Sequence, residues 1–206
     1  MRPLSATSLT AATALFGAAL LGAAPAQAGG LGIMTTGGFF TTPVYFYDAG
    51  NNMAQVRQTQ TIFTGGAGFD LTLGDPDDRI VGGFRGYWLV ESAEQDPANN
   101  TSTVAADDVV ANWRENARHV GIASVGVNIG LIGDPDRAQM ITSLYVGSGF
   151  LTPDHDEFLL AELGLGATVN ITPGIQAFGT AQYSLRQRKG FKHGANAVLG
   201  VRYLFD

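Results

Sequence analysis

From residue 29 onward, apolar and polar residues alternate along the chain with a period of two. The alternation runs in eight segments of about 10 to 15 residues, bounded by Gly, Pro, Asn or Asp. A helical interpretation fails because glycine recurs every few positions and costs a helix about 1 kcal/mol each time. Each segment is long enough to cross a bilayer when tilted. The segments are 30–40, 58–73, 79–91, 118–131, 138–151, 158–171, 175–187 and 191–205.

The connections between these segments alternate in length. Those at 41–57 and 92–117 are long, 152–157 is of medium length, and 188–190 is short, which departs from the alternation. The tight connections are 74–78, 133–137 and 172–174. Short turns on one side and long loops on the other are typical of bacterial outer-membrane barrels. We therefore predict an all-β fold over residues 29–206: an eight-stranded antiparallel transmembrane up-and-down β-barrel.

The two faces of a segment differ in polarity, most clearly in 191–205. Its odd positions are apolar or aromatic apart from one histidine, while Lys192, Asn196 and Arg202 stand at even positions. A slip of one residue would turn these charges into lipid, at about 2–4 kcal/mol for an Arg or Lys at the midplane. In the first segment, 30–40, the alternation does not show which face is apolar. A soluble barrel with the polar faces turned outward remains an alternative at this stage.

The inward parity of several segments collects charged and polar side chains. Asp70 and Arg85 fall nearly opposite each other across the turn at 74–78, and Glu162 and Arg186 stand in a comparable diagonal relation across the turn at 172–174. Such charges are costly in a narrow lumen unless they are paired or hydrated. We therefore predict a polar network that plugs the lumen, with a thin aqueous pore as the alternative. Its members are Asp70, Arg85, Tyr87, Glu162, Gln182, Arg186 and Arg202.

The first 28 residues have the layout of a secretory signal peptide. Arg2 is followed by an apolar stretch at about 9–21 and by small residues ending at Ala28, where cleavage is expected. A transmembrane anchor is the alternative, but the apolar stretch is too short and too interrupted to span a bilayer. Loss of Arg2 leaves 11 of the 12 basic residues against 18 acidic ones, a net charge of −7. This balance excludes a general nucleic-acid binder.

Basic residues are concentrated near the last connection. Arg186, Arg188, Lys189 and Lys192 cluster there, whereas the other loops are mainly acidic. We predict that they contact lipopolysaccharide phosphates through charge-assisted hydrogen bonds. The alternative is that they only solvate the loop.

The sequence offers little chemistry for an enzyme, a cofactor or a metal. Residues 193–196 are similar to the His-x-Ser-Asn segment of outer-membrane lipid A deacylases, but Ala195 stands where the nucleophilic serine is needed. The acidic run at 154–157 and the two acidic turns lack the spaced ligands of a calcium or transition-metal site. We therefore expect no enzyme activity, no cofactor and no metal, and there is no cysteine to form a disulfide.

The last strand carries a resemblance to a known group. Its alternating apolar ending, Leu199, Val201, Tyr203 and Phe205, resembles the C-terminal signal of small outer-membrane β-barrels of the OmpA/OmpX-like family. The resemblance implies recognition by the outer-membrane assembly machinery and residence in a Gram-negative outer membrane. It favours a structural or adhesion-type protein that displays its loops at 41–57 and 92–117. A narrow passive channel, or a subunit of a multi-protein envelope assembly, remains an alternative.

Overall fold

The computed structural model is a closed barrel of eight antiparallel strands. It describes residues 29–47, 55–75, 78–92, 118–152, 156–187 and 191–205, with only the backbone described for 42–47, 55–60 and Asp156. The strands are β1 (Gly29–Tyr47), β2 (Gln55–Leu73), β3 (Ile80–Glu91), β4 (Arg118–Asp134), β5 (Ala138–Thr152), β6 (Asp156–Thr172), β7 (Ile175–Gln187) and β8 (Phe191–Phe205). The predicted fold class and strand number are confirmed. The signal peptide and the 93–117 part of the long loop lie outside the described residues.

Each strand pairs with the next one along the chain, and β1 closes the ring by pairing with β8. At the closure Gly29 lies opposite Phe205 and Thr41 opposite His193. A closed ring satisfies backbone hydrogen bonds without a free sheet edge, which is a requirement for strands that cross lipid. Within the ranges described above, there is no helix with the length and hydropathy needed to cross a membrane.

The connection predicted at 41–57 is mostly strand, which corrects the sequence interpretation. Residues 42–47 pair with residues 55–60 in one hairpin. The described pairing of β1 with β8 ends at Thr41, and that of β2 with β3 begins at Thr64, so the hairpin continues beyond the barrel wall. The aromatic and β-branched residues of 42–47 favour the extended backbone.

Two tight turns of similar sequence close β2–β3 and β4–β5. Gly74 and Gly133 adopt φ angles of 115° and 116°, which favour glycine. The amide of Arg137 donates to the carbonyl of Asp134 at 3.0 Å, and the amide of Asp136 donates to the Asp134 side chain, also at 3.0 Å. The Asp134 side chain thus stabilises its own turn by accepting from a backbone amide two residues on, as aspartate commonly does in turns.

The outer surface of the barrel is apolar. Odd positions of β1, β2, β6, β7 and β8 point outward, as predicted for four of these strands, and even positions point inward. The ambiguous first strand follows the same rule, because Leu31 and Ile33 are exposed and Met34 is buried. Exposed Leu163, Leu165 and similar residues form a continuous apolar wall, so the soluble alternative, which needs a polar exterior, is wrong.

The lumen is less polar than the sequence analysis anticipated. Met34 and the strand-β5 residue Leu151 point inward into a cluster that also contains Phe158. The complete apolar cluster is Met34, Tyr87, Leu89, Val120, Ile122, Leu151, Phe158, Leu160, Phe178 and Val198. Eight strands leave an interior just wide enough for side chains to fill. Apolar and aromatic side chains therefore fill the lumen beside its charged groups.

Candidate functional site

The first charged cluster, which we call the Asp70 cluster, contains Asp70, Arg85 and Arg202. Register places Asp70 directly opposite Arg85 on the neighbouring strand. The Arg85 Nε atom donates to Asp70 Oδ2 at 2.9 Å, and Arg202 Nη1 lies 3.4 Å from Asp70 Oδ1. Asp70 and Arg85 have no solvent exposure at all. One carboxylate is thus shared by two guanidinium groups from opposite sides.

Aromatic rings cover the cationic members of this cluster. The guanidinium carbon of Arg85 lies 3.9 Å from the ring centre of Tyr145, and that of Arg202 lies 4.4 Å from the ring centre of Phe178. The Tyr145 hydroxyl in turn accepts a hydrogen bond of 3.0 Å from Asn128 Nδ2. Attraction between a guanidinium and a ring face is strengthened where water is excluded. These rings compensate part of the charge that one carboxylate leaves unmatched.

The second charged cluster, the Glu91 cluster, contains Glu91, Arg118 and Arg186. Arg118 Nε donates to Glu91 Oε2 at 2.6 Å, and Arg186 Nη1 donates to Glu91 Oε1. The Arg186 guanidinium also lies 3.8 Å from the ring centre of Phe40 and 4.8 Å from that of Phe158. Because β3 and β7 are four strands apart in a ring of eight, the Glu91–Arg186 contact spans the lumen.

A hydrogen-bonded belt joins the walls between the two clusters. The Tyr87 hydroxyl lies 3.5 Å from Glu162 Oε2, and the Ser184 hydroxyl lies 3.1 Å from Glu162 Oε1. Ser184 is also 2.7 Å from the Asn196 Oδ1 atom, and Asn196 Nδ2 donates to the Gln182 Oε1 atom at 3.1 Å. The belt therefore runs from β3 through β6 and β7 to β8.

The sequence assigned the wrong partner to one arginine. Arg186 was expected beside Glu162, but the structure pairs it with Glu91. Register explains the difference, because Glu162 lies opposite Ser184 whereas Arg186 lies opposite Leu160, further toward the loop end. From this position nearer the loop end, the Arg186 side chain extends across the lumen to Glu91 on β3.

The residues predicted to contact lipopolysaccharide are distributed differently from expectation. Arg186 is buried in the lumen and bound by Glu91, so its guanidinium does not face lipopolysaccharide phosphates. Arg188 and Lys189 lie outside the described residues, and Lys192 is half-buried at an inward position of β8. The terminal signal residues Leu199, Val201, Tyr203 and Phe205 are exposed on the outer wall.

Sequence reasoning missed Glu91, Arg118 and Tyr145. A signal for Glu91 was present, because continuing the alternation from Arg85 and Tyr87 places residue 91 on the inward face. Once Glu91 is placed on the inward face, Arg118 could have been found as its register partner, because Arg118 begins β4 directly opposite Glu91. No face had been assigned to β5, so Tyr145 had no predicted position.

Comparisons with known proteins give partial sequence matches and structural alignments at low identity. No protein-family model matches the chain. Over 97 residues, 46% of its length, the chain is 37% identical to outer membrane protein B of Rickettsia conorii, and it spans 6% of the length of that relative. The solved structure of Ail, the attachment invasion locus protein of Yersinia pestis, aligns with a TM-score of 0.44 at 11% identity, covering 87% of this chain and 99% of Ail. The outer membrane protease OmpT of Escherichia coli aligns with a TM-score of 0.39 at 9% identity, covering 88% and 97%.

Three features determine the class and location of the protein. The ring of eight strands is closed, its outer wall is apolar, and its buried charges face inward. An apolar exterior and a charged interior match a barrel surrounded by lipid, whereas a water-soluble barrel has the opposite distribution of apolar and polar residues. Together with the sequence similarity to outer membrane protein B, these features identify the chain as a small β-barrel of the bacterial outer membrane.

Proposed function

We propose that the protein is a non-conducting structural and surface-display barrel, whose loops serve adhesion or interaction with other envelope components. The observation that carries this proposal is the Glu91–Arg186 contact, which joins opposite walls of the lumen. A channel for ions or solutes needs an open path along the axis. Here that path meets the Glu91 cluster, the belt through Glu162 and Ser184, and the Asp70 cluster, with apolar side chains packed beside them.

Energetics support a permanently filled lumen. Removing one partner of a buried ion pair typically costs about 3–5 kcal/mol, because the other charge is left uncompensated. A passing ion would have to separate Glu91 from both of its arginines. The paired charges therefore act as a brace across the barrel, and the narrow-channel alternative requires that this brace open.

We also propose that the barrel has no catalytic activity. Ala195 is exposed on the outer wall of β8, where it supplies no nucleophile. The neighbouring His193 contacts the Tyr183 hydroxyl through Nδ1, and the two rings lie 6.0 Å apart. These two side chains form a pair on the outer surface, and tyrosine is enriched where such a surface meets the membrane interface.

Planar-bilayer recording tests the plug. We expect no steady conductance from the wild-type barrel, because the lumen is filled by paired charges. Arg85→Ala and Glu162→Ala, which remove parts of the filling, are the comparison variants. Steady wild-type conductance that neither substitution changes would refute the plug and favour a narrow channel.

The proposed partners are lipopolysaccharide, the outer-membrane assembly machinery and other envelope proteins. For lipopolysaccharide, the candidate contacts other than the buried Arg186 are Arg188, Lys189 and Lys192. Replacing these three with Gln should reduce the lipopolysaccharide that co-purifies with the barrel, because ammonium and guanidinium groups bind phosphates strongly. Arg137→Gln, in a turn at the opposite end, is the matched control. Equal co-purification by all variants would eliminate this contact.

A further inference from the structure

The lumen contains a small cavity at its turn end, the end of the barrel that the tight turns close. The volume of this cavity is about 30 Å³. Strands β2 to β8 all contribute to its wall, so it lies inside the ring of strands. Asp78, at the end of the β2–β3 turn, stands at its mouth and is exposed. The buried residues of its wall are Thr72, Asn128, Ile141, Thr168, Gln176 and Arg202.

Two polar atoms of this wall are buried without a partner. The Arg202 Nε atom, a donor, and the Asn128 Oδ1 atom, an acceptor, make no hydrogen bond to any residue that the structure describes. The other polar atoms of these side chains are engaged, since Asn128 Nδ2 donates to the Tyr145 hydroxyl and Arg202 Nη1 faces Asp70. Burial of an unmatched polar group is costly. One cavity with an unmatched donor and an unmatched acceptor fits a ligand that both accepts and donates.

The charges around the cavity disfavour an ion as this ligand. The guanidinium of Arg202, which lines the cavity, and that of Arg85 in the same cluster repel a cation. An anion would meet the Asn128 oxygen inside the cavity and the Asp78 carboxylate at its mouth. A water molecule can accept from the Arg202 N–H and donate to the Asn128 oxygen at the same time. Water therefore matches the two unpartnered atoms better than either kind of ion.

We propose that this cavity binds water, which joins the Arg202 Nε donor to the Asn128 Oδ1 acceptor and hydrates the Asp70 cluster from the turn end. Each buried water needs about 10–15 Å³ of such space, so a volume of about 30 Å³ accommodates about two molecules. Nearer the loop end, the apolar cluster around Ile122 and Leu160 offers water no polar partner. The lumen is thus wet at its turn end and dry beyond the Asp70 cluster, which the proposed function does not require.

Radiolytic labelling measures water at individual side chains inside the barrel. A short X-ray pulse splits water into hydroxyl radicals, which oxidise the side chains that contact that water, and mass spectrometry locates the oxidation. Ile141 and Ile122 are matched reporters, because both are inward isoleucines with exposed fractions of 3% and 7%. Ile141 lines the cavity, whereas Ile122 belongs to the apolar cluster. For the wild-type barrel in lipid vesicles, we expect Ile141 to be oxidised at least about fivefold faster than Ile122, because bound water lies beside it.

Two substitutions at one position test whether the cavity is the site. Thr168→Ile fills the cavity with apolar volume and should lower the oxidation of Ile141 to the rate of Ile122. Thr168→Val, which keeps the shape of threonine, is the matched control and should leave Ile141 labelled, because Arg202 and Asn128 still hold the water. The heat-induced shift in gel mobility verifies that each variant folds.

The wild-type comparison does not depend on the folding of any variant. Equally slow oxidation of Ile141 and Ile122 would overturn the water site, and equally fast oxidation of both would overturn the dry segment by revealing water along the whole lumen. Fast oxidation of Ile141 that survives Thr168→Ile in a folded barrel would overturn the cavity as the site. Planar-bilayer recording tests the non-conducting barrel separately, so failure of one proposal can be distinguished from failure of the other.

Discussion

Glu91→Ala should be among the most damaging single substitutions in this barrel, with an expected loss of about 3–5 kcal/mol of unfolding free energy. Glu91 is almost fully buried, and its carboxylate is the shared partner of Arg118 and Arg186. Its removal leaves two cations in the lumen without their counter-ion. The loss can be measured as a lower urea midpoint and a lower temperature for the heat-induced shift in gel mobility.

A control distinguishes loss of charge from general disturbance. Glu157→Ala removes an exposed carboxylate and should change the urea midpoint little. The double variant Glu91→Leu with Arg186→Met should regain part of the stability, because an apolar pair of similar volume leaves fewer unmatched charges. If Glu91→Ala unfolded at the wild-type midpoint, the Glu91 cluster would have no structural role.

Leu165→Arg should destabilise the barrel by about 2–4 kcal/mol, whereas Ile171→Arg should cost about 0–1 kcal/mol. Both side chains point outward from β6, but Leu165 lies near the middle of the strand and Ile171 is the penultimate residue of Asp156–Thr172. The cost of a charge in lipid falls with distance from the bilayer midplane, so the two substitutions measure how deep residues 165 and 171 lie in the bilayer. Reversible urea unfolding in lipid vesicles measures both.

The difference between these two variants is more informative than either value. Equal costs would mean that the middle of β6 does not lie deeper in the bilayer than its turn end. The inward Gly164→Ala variant, at the neighbouring position, is an unsuitable control, because its methyl group would collide with Ser143. Leu165→Ala serves instead, since it shortens the side chain without adding charge.

Local patterns were sufficient to predict the eight strands and the faces of all of them except β1 and β5. A period of two fixes which side of a sheet each residue faces, and a single strongly charged strand such as β8 sets the register of its neighbours. Asp70 and Arg85 could be placed near each other from sequence because a tight turn joins their strands and both fall on the inward parity, and in the structure they are register partners.

Contacts between distant strands could not be predicted in the same way. The partner of Arg186 depends on the tilt of the strands and on how far a long side chain extends across the lumen, and neither is encoded in local alternation. The β1–β2 hairpin was underestimated for a different reason. Its strands continue beyond the pairing of β1 with β8 and of β2 with β3, and residues 42–47 do not show the period-two alternation that marked the other strands.

The pairing of β1 with β8 has a consequence for the order of folding. Seven of the eight strand pairs join neighbours in the chain, whereas this one brings together Gly29 and Phe205. Loop-closure entropy rises with the length of the intervening chain, and non-local pairing is slow. We therefore expect this seam to form last. Until then β1 and β8 expose unpaired amides and carbonyls, each costing several kcal/mol in hydrocarbon. An assembly factor that pairs temporarily with one of these strand edges would therefore stabilise the open intermediate most.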